Sequence, residues 1–490
     1  MGRLALRLSI ERRIGGMARG RRDCARTLAG TCCALVVACA PLSTPPGGDA
    51  LQAAFVVLGE EGRPVARAIT SAAGCPVLVA DGSLLPMTIR APAATLPLRP
   101  TRSAPEESKP SAFPVQVCEA TLPAGAIRAS IGDRALPIVR AEPRRIVVIG
   151  DTGCRMKSSD RVFQACNDAG QWPFAQVAAA AAAAAPDLVI HVGDYHYREN
   201  TCPAGNAGCT GSPWGYGWDA WNADLFTPAQ RLFAAAPWIV VRGNHESCDR
   251  AGQGWWRFLD PRPLVAGRDC NDPARDETGD YSEPYAVPIA ADTELIVFDS
   301  SRVGINPLAV TDPMYRTYTT QMREAFALAS RKPGTHNLFM NHHPILAFAP
   351  DSRTQPTGLY PGNESLQSVL QPINAEMLFP KNVDALVSGH VHLVEIVSYA
   401  TPQPTQIVSG NGGSWADMPL PHDLPPGATP APGAVVESFV TTDRYGYMTL
   451  ERDAEAGGAW RIEARDREGR VITTCSLRDR KTRCIPEALP

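Results

Sequence analysis

At 490 residues the chain is longer than one hydrophobic core usually serves, so two domains are expected. Its 44% apolar and 20% charged residues exclude a disordered or fibrous chain, and 45 prolines with 41 glycines favour many loops over a helical bundle. A formal net charge of −3 argues against a nucleic-acid partner held by bulk positive charge, and no apolar run reaches the roughly 18 residues of a membrane-spanning helix.

The N-terminus reads as an address. Its first 38 residues carry eight arginines against two acids and run into a short apolar stretch, Thr31 to Ala40, the pattern of an export signal. Val36-Val37-Ala38-Cys39 is similar to a lipobox, which sets the signal at 1–39 and makes Cys39 the lipidated first residue of a bacterial lipoprotein. The expected location is the periplasm or cell envelope, with membrane attachment through Cys39, or secretion. Ten cysteines lie beyond it, and an even number in an exported chain favours disulfides. Near-neighbour pairing gives Cys75–Cys118, Cys154–Cys166, Cys202–Cys209, Cys248–Cys270 and Cys475–Cys484. No Cys-x-x-Cys spacing supports a cysteine metal site instead.

Residues 47–140 read as a small β-sandwich-like domain. Ala54 to Leu58, Pro76 to Ala80 and Pro114 to Cys118 are short β-type runs bounded by Gly and Pro, and the Pro- and Ser-rich stretch from Ala91 to Pro114 reads as a long loop. From Arg145 the pattern changes to continuous apolar runs: Ile146 to Ile149, Leu188 to Val192, Trp238 to Val241, Glu294 to Phe298, Asn337 to Met340 and Ala385 to Ser388. Such runs suit buried parallel strands, and helical segments between them give an α/β fold with its site at the strand C-termini. Eight alanines, Ala178 to Ala185, predict a tightly packed helix ending at Pro186. The tail from Phe439 to Cys484 reads as strands with a turn at Arg465 to Gly469, so one domain is expected over 145–490.

The residues that close each strand carry the chemistry. The first strand ends in Gly150-Asp151-Thr152-Gly153, the second in Gly193-Asp194-Tyr195-His196-Tyr197 and the third in Gly243-Asn244-His245-Glu246. Asn341-His342-His343-Pro344 and Gly389-His390-Val391-His392 come later, and these segments hold six of the nine histidines. A lone Gly-Asp is most often a turn and a lone His-x-His often two residues on one strand face. Five such segments in order, each closing an apolar strand, point instead to a dinuclear metal site. Oxygen and imidazole donors in this mix suit Fe, Zn or Mn, whereas Mg or Ca would take oxygens alone.

The order GD, GD-x-x-Y, GNHE, His-x-Pro and GH-x-H resembles the calcineurin-like metallophosphoesterases, and in particular their purple acid phosphatase branch. The resemblance covers Arg145 to about Gly413 and implies a four-layer αββα sandwich carrying the small N-terminal β domain. Most family members open with Asp-x-His; here Gly153 stands at the histidine position, and in the purple acid phosphatases the tyrosine of GD-x-x-Y, here Tyr197, supplies the missing ligand. The resemblance therefore implies a first metal on Asp151, Asp194, Tyr197 and His392. A second metal would sit on Asp194, Asn244, His342 and His390, with iron in one site and Fe, Zn or Mn in the other. His245 matches the family's catalytic histidine. His196, Arg155 and His343 are candidates for touching substrate; for Arg155 the blander reading is a surface arginine, and for His196 a mere neighbour on the loop.

Hydrolysis of phosphate monoesters, with metals clamping the phosphoryl group and activating water, is the leading expectation, and phosphorylated small molecules the expected substrates. The same centre would also serve a phosphodiesterase or nucleotide pyrophosphohydrolase, and a non-catalytic envelope binding protein is the reading from another class. Trp214, Tyr216, Trp218 and Trp221 either stack on a nucleobase or aryl leaving group at the metal mouth or pack as a cluster beneath a long loop.

Overall fold

The computed structural model describes residues 50–351, 358–453 and 459–486; the export signal expected over 1–39, with Cys39, lies outside them. Two large sheets carry the architecture. In the eleven-stranded sheet, Arg145–Ile149, Leu188–His191 and Trp238–Val240 run parallel at the centre. The antiparallel strands Gly446–Asp453, Ala459–Asp466, Val471–Arg478 and Lys481–Pro486 extend one side of it. In the seven-stranded sheet, Thr293–Val297, His336–Met340, Val383–Ser388 and Thr405–Ser409 run parallel.

Alternation along single strands shows how the layers form. Ile146 and Val148 point into a core shared with Leu338, Met340, Val387 and Ile407 of the other sheet. Their neighbours Val147 and Ile149 pack on the other side against Phe174, Val177, Ala178 and Ala181 of the helix Phe174–Ala183. Both faces of the strand are thus buried, which is why it reads as a continuous apolar run. The seven-stranded sheet does the same: Phe339 and Leu386 meet Tyr318, Met322 and Ala325 of the helix Pro313–Ser330, together with Leu366 and Val369 of Glu364–Leu370. Helix, sheet, sheet, helix is the four-layer order expected. The alanine run forms the predicted helix; Ala185 then turns to φ 52 and Pro186 prevents continuation.

Residues 50–140, the described part of the stretch 47–140 expected as a small β domain, share this framework. Val57 of Leu51–Leu58 pairs in parallel with Trp238, and Pro64–Thr70, Gln116–Thr121 and Thr88–Ala91 continue the eleven-stranded sheet from there. A four-stranded sheet made of Val77–Ala80, Ser83–Pro86, Ala129–Ile131 and Arg134–Leu136 adds Leu78 and Ile131 to the inter-sheet core. All five disulfides form between the cysteines paired by proximity. Such bonds persist in oxidising compartments and fit an exported chain. Among the described residues no helix is long and apolar enough to cross a membrane.

Candidate dinuclear metal centre

The strand C-termini of both sheets converge on one patch. Asp151 and Asp194 come after adjacent strands of the eleven-stranded sheet with left-handed backbones, φ 53 and 56, and His390 comes after Val383–Ser388 at φ 69. Such conformations cost about 1–3 kcal/mol each in non-glycine residues and persist where surrounding bonds over-determine them. Here those bonds are visible: the Asp151 N–H donates to Gly193, the Thr152 N–H to Asp194, and the Asp151 carbonyl accepts from Ser414. The Gly-rich loop Ser409 to Gly413 also lies against this turn, with the Gly412 N–H on the Gly150 carbonyl.

The Tyr197 hydroxyl lies at the centre of the first cluster, 3.0 Å from Asp151 Oδ1, 2.7 Å from Asp194 Oδ2 and 2.7 Å from His392 Nε2. Gly153 has no room to contribute: a Cβ there would stand 2.8 Å from Asp224 Oδ2, the Tyr195 carbonyl and the Tyr197 nitrogen alike. Tyrosine fills from the second loop the place that the first loop leaves open.

The second cluster gathers around Asn244 Oδ1, which lies 3.1 Å from His342 Nε2 and 3.0 Å from His390 Nδ1, while His342 Nε2 is 3.2 Å from Asp194 Oδ2. Asp194 therefore touches both clusters. Gly243 lets the Asn244 turn approach, since a Cβ on it would lie 2.1 Å from Asp194 Oδ1. His343 is buried beside this group, its Nδ1 3.1 Å from Ser300 Oγ and its ring 4.3 Å from that of His390.

These donors fit metal ions. His342 Nδ1 donates to the Val192 carbonyl at 2.8 Å and His392 Nδ1 to the Trp415 carbonyl at 2.6 Å. Each Nε2 then faces the carboxylates, the arrangement that orients imidazole ligands. Potential ligand atoms of Asp151, Asp194 and His342 lie within 4.8 Å of one another, as do those of His342, His343 and His390. Electrostatics agrees. Burial would raise Asp194, yet His342, His245 and the His245 N–H hold it well below the ordinary carboxylate range. Burial lowers His342, but Asp194 and Asp151 lift it to about 9. Burial and the two carboxylates push the Tyr197 phenol well above its usual value, a trend that a cation among these donors reverses.

Four residues without a sequence-derived role organise the loops. Glu246 accepts backbone N–H bonds from Gly243, Asp194, Tyr195 and His196, at 2.9 to 3.1 Å, and so ties the second loop to the third. Asp224 accepts from Cys154, Tyr197 and Arg198 and pairs with the Arg198 guanidinium at 2.6 Å. Glu199 and Arg250 form a buried pair beside His245. The His245 ring lies against Tyr197 with ring centres 3.9 Å apart at a tilt of 40°, its Nε2 3.9 Å from Asp194 Oδ2; burial and Arg250 hold it down to about 3. A buried acid outside the motifs, such as Asp224 or Glu199, leaves no signal of its own in the sequence.

The remaining candidates sit farther out. Arg155 pairs with Asp160 at 2.5 Å and is partly exposed. His196 is fully buried, its Nε2 2.9 Å from the Gly215 carbonyl and its ring against Tyr216 and Trp221. The aromatic insertion forms core rather than a platform: Trp218 packs on Phe226 and Phe258, and Trp221 on Phe258. Trp255 and Trp256 are buried in the same cluster.

This geometry agrees with sequence comparison. The calcineurin-like phosphoesterase family profile matches residues 144–394, about half of the chain, and the chain belongs to that family. A purple acid phosphatase, PPD1, isolated from yellow lupin (Lupinus luteus) seeds has a similar fold, with a TM-score of 0.53 over 88% of this chain and 74% of its own at 13% identity. The structure of PhoD overlaps 89% of this chain and 92% of its own with a TM-score of 0.46 and 10% identity. No curated protein sequence matches.

Proposed function

We propose that this chain is an exported two-metal phosphatase of the purple acid phosphatase type, acting on phosphate monoesters, with Cys39 attaching it to the cell envelope. The observation that carries this reading is the Tyr197 hydroxyl within 3.0 Å of Asp151, Asp194 and His392, opposite a Gly153 that admits no side chain. Asp151, Asp194, Tyr197 and His392 would hold one metal, taken as iron. Asp194, Asn244, His342 and His390 would hold the other, taken as Fe, Zn or Mn. When bound, such a pair supplies a nucleophile from water at neutral pH and neutralises charge on the phosphoryl oxygens.

The chain's own groups do the rest. Asp194 touches both clusters and sets their separation. His245 directs Nε2 toward Asp194, where its ring would hydrogen-bond a phosphate oxygen or the leaving oxygen. Arg250 Nη2 lies 2.6 and 2.8 Å from the two His245 ring nitrogens, its charge balanced by the buried Glu199 carboxylate.

The test is metal analysis of the mature, disulfide-bonded protein beside hydrolysis of p-nitrophenyl phosphate and its bis-ester. About two metals per chain, with monoester turnover that His245→Ala abolishes, is the expected result. Preferential bis-ester turnover would reassign the enzyme as a diesterase. Inactivity on both esters after adding Fe, Zn or Mn would leave a binding protein.

A further inference from the structure

The loop of the first motif continues into a hairpin with no expected role, Met156–Lys157 against Val162–Phe163, tied at its base by the Cys154–Cys166 disulfide. It lies directly on the second loop. The Met156 N–H donates to the Tyr197 carbonyl at 3.0 Å, and the Glu199 N–H to the Met156 carbonyl at 3.1 Å. Met156 is buried with Cys154, Cys166 and Cys209, so the extended backbone turns its neighbours Arg155 and Lys157 to the opposite face. There both meet one carboxylate oxygen, Asp160 Oδ2, with Arg155 Nη2 at 2.5 Å and Lys157 Nζ at 3.1 Å. Their side chains stay 20% and 19% exposed, within reach of a solute.

The surroundings put this pair at the mouth of the metal centre. Burial lowers Arg155, but the Tyr197 phenol, Asp160 and Asp417 hold it above its ordinary value. Asp417 in turn takes the His392 N–H at 2.8 Å. Lys157 is lowered by burial and by Arg250, with Glu199 and Asp160 opposing. Arg155 thus borders the Tyr197 and His392 side of the centre, and Lys157 the His245 side. Arg250 is balanced by Glu199, whereas Asp160 serves two cations. Among the described residues Arg155 Nε is buried without a partner, and Asp160 meets one of the three ammonium hydrogens of Lys157.

We infer that Arg155 and Lys157 form a subsite for a carboxylate on the leaving portion of the substrate, with Asp160 as its resting occupant. A guanidinium and an ammonium around one carboxylate make charge-assisted bonds, roughly twice as strong as neutral ones. Asp160 demonstrates the fit, since its own carboxylate sits between the two cations. A carboxylate arriving from solvent takes the donors that Asp160 leaves over. The preferred substrates are therefore phosphate monoesters of hydroxy acids rather than of neutral alcohols. Asp160 competes for the same donors, so its removal and removal of the cations act in opposite directions. The inference rests on the proposed monoester hydrolysis.

Two matched pairs on the whole, disulfide-bonded, metal-loaded protein test it. The terminal phosphates of glycerate and of glycerol differ only by a carboxylate in place of a hydroxymethyl group. Native kcat/KM should favour the glycerate ester by about tenfold. Lys157→Gln and Arg155→Gln should each reduce that ratio by about three- to tenfold at unchanged metal content, and Lys157→Arg should keep it. Asp160→Asn should raise the ratio by about three- to fivefold. A merely structural hairpin would move all the neutral variants the same way. A native ratio near one, or an Asp160→Asn that lowers the ratio, would overturn the assignment. The second pair, phosphonopropionate beside propylphosphonate, resists hydrolysis and repeats the comparison by calorimetric binding. An enzyme idle on both esters would defeat the phosphatase reading alone. In that event about tenfold tighter binding of phosphonopropionate would still uphold the subsite, and equal binding would still overturn it. If Arg155→Gln fails to fold, the Lys157 and Asp160 variants carry the decision.

Discussion

The two halves of the centre are braced by opposite means. Loops of the eleven-stranded sheet bring Asp151, Asp194, Tyr197 and Asn244, and side-chain acids hold these loops: Glu246 takes four backbone N–H groups and Asp224 three. Loops of the seven-stranded sheet bring His342, His390 and His392; there main-chain oxygens of Val192 and Trp415 hold two of the rings, while Asp151 and Asp417 take the N–H groups of His390 and His392. The difference comes from the donors. An imidazole needs one acceptor behind it to fix its tautomer, and any carbonyl will serve. A turn with its N–H groups pointing inward needs a buried acceptor with several lone pairs, and only a carboxylate has enough. The first half can therefore be broken by changing residues that bind nothing, whereas the ring braces of His342 and His392 survive side-chain substitution.

The largest expected effect falls where the halves meet. Asp194→Ala should release both metals and lower turnover by about a thousandfold or more, read by metal content and p-nitrophenyl phosphate hydrolysis. Retention of two metals would deny Asp194 its bridging place. Tyr197→Phe touches the first half alone. It should abolish the visible charge-transfer band of a ferric tyrosinate and weaken that metal by about 10- to 100-fold, with the second metal retained. Unchanged absorbance and metal content would remove Tyr197 from the ligand set.

Glu246→Gln tests the bracing itself. An amide offers one oxygen to the four N–H groups and turns a donor toward them, so unfolding should become easier by about 2–3 kcal/mol, measured by urea titration of metal-free protein. An unchanged midpoint would mean that the loops hold without it.

Legibility in the sequence divides along the same line. The residues read as metal ligands stand in short motifs after apolar strands, and Asp151, Asp194, Tyr197, Asn244, His342, His390 and His392 do converge. Six strands and the alanine helix are legible because burial on both faces leaves continuous apolar runs. The bracing acids are not, since Asp224 and Glu199 acquire meaning only from N–H groups and cations that folding brings to them. Nor is the merging of residues 47–140 with the main sheet, which depends on a single parallel register, Val57 against Trp238, far apart in the chain. The aromatic insertion stays open between two readings for the same reason: a tryptophan cluster beside a motif looks alike whether its rings face solvent or Phe258.

A last effect, confined to pH, concerns an acid of the seven-stranded sheet with fewer N–H partners than Glu246. Glu395, on Val394–Tyr399, is fully buried; its Oε2 accepts one N–H, from Phe348 at 3.0 Å, and its Oε1 has no partner. Burial pushes this carboxyl up to about 8, only partly opposed by the Phe348 N–H. Its folded value thus lies above its ordinary value of 4.5, so the folded state binds the proton more tightly than the unfolded chain. The stability this supplies is complete below pH 4.5 and is lost as pH rises toward 8, beyond which it stays lost. The total is on the order of a few kcal/mol. Glu395→Gln keeps an acceptor for Phe348 and cannot ionise, so the variant should match the native protein near pH 4.5 and exceed it above pH 8 in urea midpoint. A constant difference between the two at both pH values would mean that Glu395 is charged in the folded protein throughout, held by a partner that its single N–H does not represent.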